Sequence, residues 1–225
     1  MRIYVNQRSI FSGALCLVVL LLAALLAIAC QQHVPNNLEL AALALAQGNK
    51  QQALQYANEA VRLDPQNPLA YNQRGLVWQA IGNYDAALED FSRAIKLDPQ
   101  MAVAYGNRGS LYAAIKKDWQ RAIDDLGKAI ELQPDFPDYY VNRGVAYYKI
   151  GRPDLALADL DKAIELQPNH VAAYLDRARV WADLNNKERA IADAEKVLEL
   201  EPQGLSADQA TLLLIELRGS GDETS

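Results

Sequence analysis

A pattern of about 34 residues recurs along this chain, and a recurrence of that length restricts the fold more than any other feature. It is plainest at Tyr71–Pro99, YNQRGLVWQAIGNYDAALEDFSRAIKLDP. It returns as Tyr105–Pro134 and Tyr140–Pro168, and more loosely as Asn37–Pro65 and Tyr174–Pro202. Apolar residues fall at helical spacing on both sides of a turn such as Gly82-Asn83, so each copy predicts a pair of amphipathic helices. A unit of that size cannot bury its apolar face alone and must stack on its neighbours. The units divide the chain at 34–67, 68–101, 102–136, 137–170 and 171–204, the third carrying one extra residue around Lys116-Lys117-Asp118.

Each recurring position has a physical reason. Gly75, Gly109 and Gly144, with Ala41 and Ala178, fall midway along the first helix of a unit, where a small residue lets the second helix approach. Ala53, Ala87, Ala122, Ala156 and Ala190 do the same on the second helix. Gly48, Gly82 and Gly151 end first helices, where a positive φ suits glycine. Lys116 and Asn185 stand there in units three and five and predict less regular turns. Pro65, Pro99, Pro134, Pro168 and Pro202 end the second helices. With these residues in place the stretch from Val34 to Gly204 resembles the tetratricopeptide-repeat (TPR) family. The resemblance implies an all-α fold, a right-handed superhelical solenoid of five helix-turn-helix units. It also implies a concave groove, lined by first helices, that binds protein segments.

By that resemblance the groove-facing residues are Leu69, Asn72, Leu76, Gln79 and Ala80; Val103, Gly106, Ser110, Ala113 and Ala114; Asp138, Val141, Val145, Tyr148 and Lys149; and Ala172, Leu175, Arg179, Ala182 and Asp183. Gly106, Ser110, Ala113 and Ala114 predict a shallow gap at the centre, bordered by apolar Leu76, Val103, Val141 and Val145. The lining lacks the Lys/Asn/Arg set with which some family members clamp a terminal carboxylate. The aromatic pairs Tyr71/Trp78, Tyr105/Tyr112, Tyr140/Tyr147 and Tyr174/Trp181, each seven residues apart, read as packing within a unit rather than a binding strip.

Four units carry arginine where the family usually has leucine: Arg74, Arg108, Arg143 and Arg177. The same four carry aspartate sixteen or seventeen residues later: Asp90, Asp125, Asp159 and Asp193. The first unit has Leu40 and Tyr56 instead. Charges that appear and vanish together predict Arg–carboxylate pairs joining the two helices, because a buried charge needs a partner. A row of arginines for an anionic ligand is the competing reading.

The ends differ from the repeats. Arg2 and Arg8 precede an apolar run from Ile10 to Ala29 that closes on Ala27-Ile28-Ala29-Cys30. A basic start, an apolar middle and small residues at the end read as a secretory signal over 1–29. The closing residues look like the lipobox of bacterial lipoproteins, which implies cleavage before Cys30 and its lipidation, with palmitate among the acyl chains. An uncleaved membrane helix and a released secreted protein are the alternatives. With lipidation or a retained helix, a short tether over 30–37 keeps the repeats close to the membrane on its exported side. By resemblance Gln31 favours the outer membrane where the organism has one. At the other end Ser206 and Gln209 have the spacing of a capping box and predict a capping helix from about Ala207 to Arg218 within 205–218, ahead of a disordered tail, 219–225.

Composition narrows the function. The formal net charge is −6, and an acidic surface argues against nucleic acid, whose phosphates need a basic face. The two cysteines, Cys16 and Cys30, precede the repeats, and the chain has two histidines, His33 and His170. Neither a catalytic triad nor a metal or cofactor site has its parts. The sequence therefore predicts no enzyme, no cofactor and no metal. It predicts a membrane-tethered scaffold for a protein or peptide partner in an envelope complex. A structural protein that self-associates through its apolar end helices is the alternative.

Overall fold

The computed structural model describes residues 36–219. The signal or anchor segment, Cys30, most of the tether and the tail beyond Gly219 lie outside the described residues. Among the described residues, Asn37–Gly219 form one compact unit. It holds eleven α-helices, and no strand occurs among the described residues. They are α1 (Asn37–Ala46), α2 (Lys50–Leu63), α3 (Pro68–Ile81), α4 (Tyr84–Leu97), α5 (Ala102–Leu111), α6 (Trp119–Leu132), α7 (Pro137–Lys149), α8 (Pro153–Leu166), α9 (Val171–Asp183), α10 (Lys187–Leu200) and α11 (Leu205–Gly219). Each odd-numbered helix up to α9 packs on the helix that follows it, and each pair packs on the next. The architecture is a TPR-type solenoid. No helix of the described residues is long and apolar enough to cross a membrane.

Local chemistry places the helix ends. Pro68, Pro137 and Pro153 occupy first turns, where a missing N–H costs nothing. Side chains of Asn67, Asn83, Asp118, His170 and Asn186 accept a backbone N–H at helix starts. Gly48, Gly82 and Gly151 have φ of 78°, 96° and 75° where first helices stop. Asn185 fills that role in the fifth unit, at φ 58°. In the third unit the left-handed residue is Lys117, at φ 53°, not Lys116. The extra residue of this unit is absorbed as one π-helical turn, Tyr112–Lys116, continuing α5, so the reversal falls one residue late.

The core is a chain of small clusters rather than one centre. Alanines at the helix crossings are fully buried, among them Ala53, Ala87, Ala122, Ala156 and Ala190. A Cβ on Gly109 or Gly144 would stand 3.2 Å from the carbonyl oxygen of Ala122 or Ala156 on the second helix. The Phe91 ring takes the space over Gly75. The aromatic stripe packs against these clusters: Tyr140 is buried and its counterparts are half-buried.

The capping helix departs from expectation. It starts at Leu205, just after Gly204 at φ 113°, so Ser206 lies inside the first turn. Gln209 does not close a capping box; its Oε1 accepts from Arg179 Nη2 at 2.9 Å. The bond to the preceding repeat takes the side chain that local spacing had allotted to the helix end.

Candidate functional site

The first helices line one face of the solenoid, and the side chains on that face are largely bonded to one another across repeats. Asn107 Nδ2 on α5 donates to Asn72 Oδ1 on α3 at 3.0 Å, and Asn72 is buried. Asn142 Nδ2 on α7 donates to Ser110 Oγ at 2.9 Å. His170 accepts the Ala173 N–H through Nδ1, so its Nε2–H donates to Asp138 Oδ1, at 2.9 Å. Tyr148 OH donates to the Asp183 carboxylate. That bond first, and burial second, push the Tyr148 phenol up to about 12. Arg179 spans Asp176, at 2.8 Å, and Gln209 on α11. Burial pushes the Asp176 carboxyl up, against the pull of Arg179.

The expected gap at the centre is closed. Tyr139, on α7 and 5% exposed, lays its ring on Gly106, where a Cβ would collide with it. Phe136 backs the ring at a centroid distance of 4.5 Å. Burial raises the Tyr139 phenol, with a smaller contribution from Asp138. Ala113, Val141 and Leu175 are buried, and Leu76, Val145 and Ala182 are half-buried. Leu69, Gln79, Val103, Ala114 and Lys149 remain open to solvent, with Leu69 at 55% and Val103 at 40% exposure. Tyr139 escaped the sequence reading, although a signal was there. The other units carry Ala70, Ala104 and Ala173 at its step, and the unit before it carries Gly106 where others have Asn72, Val141 and Leu175. A large residue for a small one is matched by a small one for a large.

The open volume on this face lies instead toward the C-terminal end. A cleft of about 600 Å³ is lined by Tyr148, Lys149, Arg179, Ala182, Leu212 and Leu213, among others. It adjoins a more enclosed cavity of about 120 Å³ reached past Tyr148, Lys149 and Arg179 and floored by Val145, Leu160 and Val180. The cleft combines apolar Ala182, Leu212 and Leu213 with Lys149, Lys187 and Arg179 and with the carboxylates of Asp183 and Glu216, drawn from α7, α9, α10 and α11. The Lys149 ammonium lies 5.1 Å from the Tyr148 ring centroid.

The arginines lie in a different setting. Each grips its aspartate with two bonds: Arg74–Asp90 at 2.8 and 2.8 Å, Arg108–Asp125 at 2.7 and 2.8 Å, Arg143–Asp159 at 2.8 and 2.8 Å, Arg177–Asp193 at 2.8 and 2.7 Å. The aspartates are buried. These bonds are the largest cause raising each guanidinium, and desolvation opposes them. Tyr71, Tyr105, Tyr140 and Tyr174 lie 5.4 to 5.9 Å from the guanidinium centres. The remaining nitrogen, Nη1, reaches back to the preceding unit: to Asn58 at 3.2 Å from Arg74, Ser92 at 3.0 Å from Arg108, and Asp161 at 2.6 Å from Arg177. For Arg143 the corresponding residue is Gly127, which offers no side chain. A cleft of about 730 Å³ beside the first of these pairs is lined by Tyr71, Arg74, Trp78, Glu89, Asp90, Arg93 and others. The Arg74 guanidinium in it is already held by the Asp90 carboxylate, so the row of paired arginines is structural rather than free for an anionic ligand.

Comparison with known proteins agrees with the architecture. Models of the tetratricopeptide repeat match residues 40–106, 137–170 and 171–203, and a TPR repeat model matches 114–151. No curated protein matches the chain. Among solved structures it is similar to MamA (TM-score 0.64, 26% identity over 72% of this chain and 94% of that one). It is similar to PilW, described as a widely conserved type IV pilus biogenesis factor (0.74, 23%, 82% and 86%). It is also similar to YrrB, described as a TPR protein with an unusual peptide-binding site (0.62, 22%, 76% and 88%). The likeness to PilW and YrrB is one of fold.

Proposed function

The chain is a tetratricopeptide-repeat protein, and we propose that it is a membrane-tethered scaffold on the exported side of a membrane, holding a protein segment in the cleft between α7, α9 and α11. The cleft carries the reading. It is an open part of the first-helix face, it is walled by Leu212, Leu213 and Ala182, and Lys149 stands at its edge for a carboxylate or carbonyl of a bound segment. The centre, where Tyr139 covers Gly106, is supporting structure. The partner is a protein rather than nucleic acid, in keeping with the net charge of −6, and the role is binding rather than catalysis. The tether is a lipidated Cys30, supported by the apolar run that ends in Ala27-Ile28-Ala29. An adaptor or assembly role in an envelope complex follows from that placement.

Crosslinked pull-down from intact membranes tests the cleft. Ala182→Arg fills it from α9, and Ala114→Arg places the same charge at the centre. Loss of partner with the first variant and retention with the second is expected. The reverse moves the site to the centre, and retention with both moves it off this face. Cys30→Ser should abolish incorporation of a fatty-acid analogue; equal labelling of variant and parent would sink the lipid tether.

A further inference from the structure

The last helix is half of a sixth repeat. One further step along the chain places Leu205 where Val171 begins α9, and the burial repeats: Ala207 and Leu214 are 4% and 5% exposed where Ala173 and Val180 are 0% and 1%. In units two to five the opposite side of the first helix is covered by the second helix of the same unit, which meets Arg177, Ala178 and Trp181 in the fifth. The corresponding residues of α11 are Thr211, Leu212 and Ile215. No second helix follows among the described residues, and Leu212 and Ile215 are 61% and 63% exposed, with Leu205 at 73% on the same side. A helix that merely closes a solenoid presents a polar outer face. This one presents an apolar stripe.

We propose that the outer face of α11 docks a cationic, alanine-lined amphipathic helix of another protein, which takes the place that a second helix fills in the other units. The identity of the occupant follows from what the face rejects. Leu212 stands where the other units carry Gly75, Gly109, Gly144 and Ala178, and at Gly109 and Gly144 the second helix approaches closely enough to touch backbone. A helix seated over Leu212 must therefore bring the small residues itself. The second helices α4, α6, α8 and α10 of a second copy fit poorly, because their buried aspartate would meet Thr211 instead of an arginine, and α2, which lacks it, is already packed between α1 and α3. Pairing α11 with α11 of a second copy about Leu212 sets leucine against leucine and Asp208 against Glu216. Those two carboxylates flank Leu212 by one turn on each side. Neither has an ion-pair partner among the described residues, while nearby Arg218 is held by Glu195. Lysines or arginines one turn either side of the alanines complete the fit.

The probe is a synthetic helical peptide with an alanine-leucine stripe flanked by lysines, and its counterpart flanked by glutamates. Both are titrated into the detergent-solubilised full chain by fluorescence anisotropy. The lysine peptide should bind at least tenfold more tightly than the glutamate peptide. Ile215→Lys, on the apolar stripe but outside the cleft lining, should weaken it at least tenfold, and Asp208→Lys should weaken it as well. Leu212 and Glu216 also border the cleft, whereas Ile215 and Asp208 do not, so the latter two separate this face from it. Amide shifts on peptide addition should be confined to α11. The proposal is overturned by absent binding of the lysine peptide, by equal binding of the two peptides, or by unchanged binding with Ile215→Lys. A full-chain dimer in sedimentation that Leu212→Lys makes monomeric would assign the face to a second copy instead.

Discussion

The first repeat and the four that follow it solve the same packing problem with different chemistry. Between α1 and α2 the contact is apolar: Ala41, Ala44, Ala53 and Ala57 are buried together, and Leu45, Leu54 and Tyr56 pack at their edge. In each later unit a bidentate arginine–aspartate pair crosses between the helices at the place of Leu40 and Tyr56. The apolar version gives no directional link to a preceding unit. The charged version does, because the third nitrogen of Arg74, Arg108 and Arg177 bonds the second helix of the unit before. No unit precedes the first repeat among the described residues. The difference teaches that the arginine sets the stacking of repeats as much as the pairing of helices, since an ion pair fixes geometry more firmly than it adds stability.

Removing one member of a pair should have the largest effect. The Asp125 side chain is 10% exposed, and Arg108→Leu strands it beside apolar Leu126 and Gly109. The loss should be about 3 kcal/mol, the lower end for breaking a buried pair. The double change Arg108→Leu with Asp125→Leu turns the third unit toward the chemistry of the first and should recover most of that loss. Denaturant midpoints decide. A double variant no more stable than the single would show that the carboxylate is not stranded.

The reverse transplant is smaller. Leu40→Arg and Tyr56→Asp place the later units' pair in the first unit, and each alone leaves a charge among the Ala41–Val77 cluster. Together they should be less destabilising than the sum of the single changes by about 1 kcal/mol, a coupling of the size seen for residues in contact. Additive costs would mean that the backbone of α1 and α2 does not hold the spacing that the pair requires.

How far the sequence foretold these features depends on whether they recur. The Arg/Asp positions, the alanine crossings and the turn at Gly82 repeat, so comparison of the units within one chain exposes them. Features that occur once were harder to see. Tyr139 over Gly106 joins two units at a single place, and each half reads as an ordinary substitution until the two are set side by side. The extra residue of the third unit was visible, but whether a helix absorbs it before or after Lys116 depends on how α5 closes its last bonds; a π turn put the reversal on Lys117. Gln209 was assigned to a local cap because local spacing allowed it, while a long-range partner, Arg179, decided its place. The C-terminal cleft arises from α7, α9, α10 and α11, which no single short stretch of sequence contains.

The smallest effect tests the inter-repeat bond directly. Gly127 is the one step in the series Asn58, Ser92, Gly127, Asp161 that offers the next arginine nothing. A Cβ there would meet Arg143 Nη1 at 3.7 Å and nothing else within 4 Å, so a serine fits. Gly127→Ala should stabilise by up to about 1 kcal/mol through helix propensity alone. Serine is the poorer helix former, so propensity by itself ranks Gly127→Ser below Gly127→Ala. A hydroxyl accepting from Arg143, as Ser92 accepts from Arg108 at 3.0 Å, should add about 0.5–1 kcal/mol and bring serine level with alanine or above it. Repeating both substitutions in an Arg143→Leu background isolates the bond, because there alanine should again exceed serine. If the ranking of the two variants is the same with and without Arg143, the third nitrogen contributes nothing to stacking, and the four later repeats are held as the first is, by apolar contact alone.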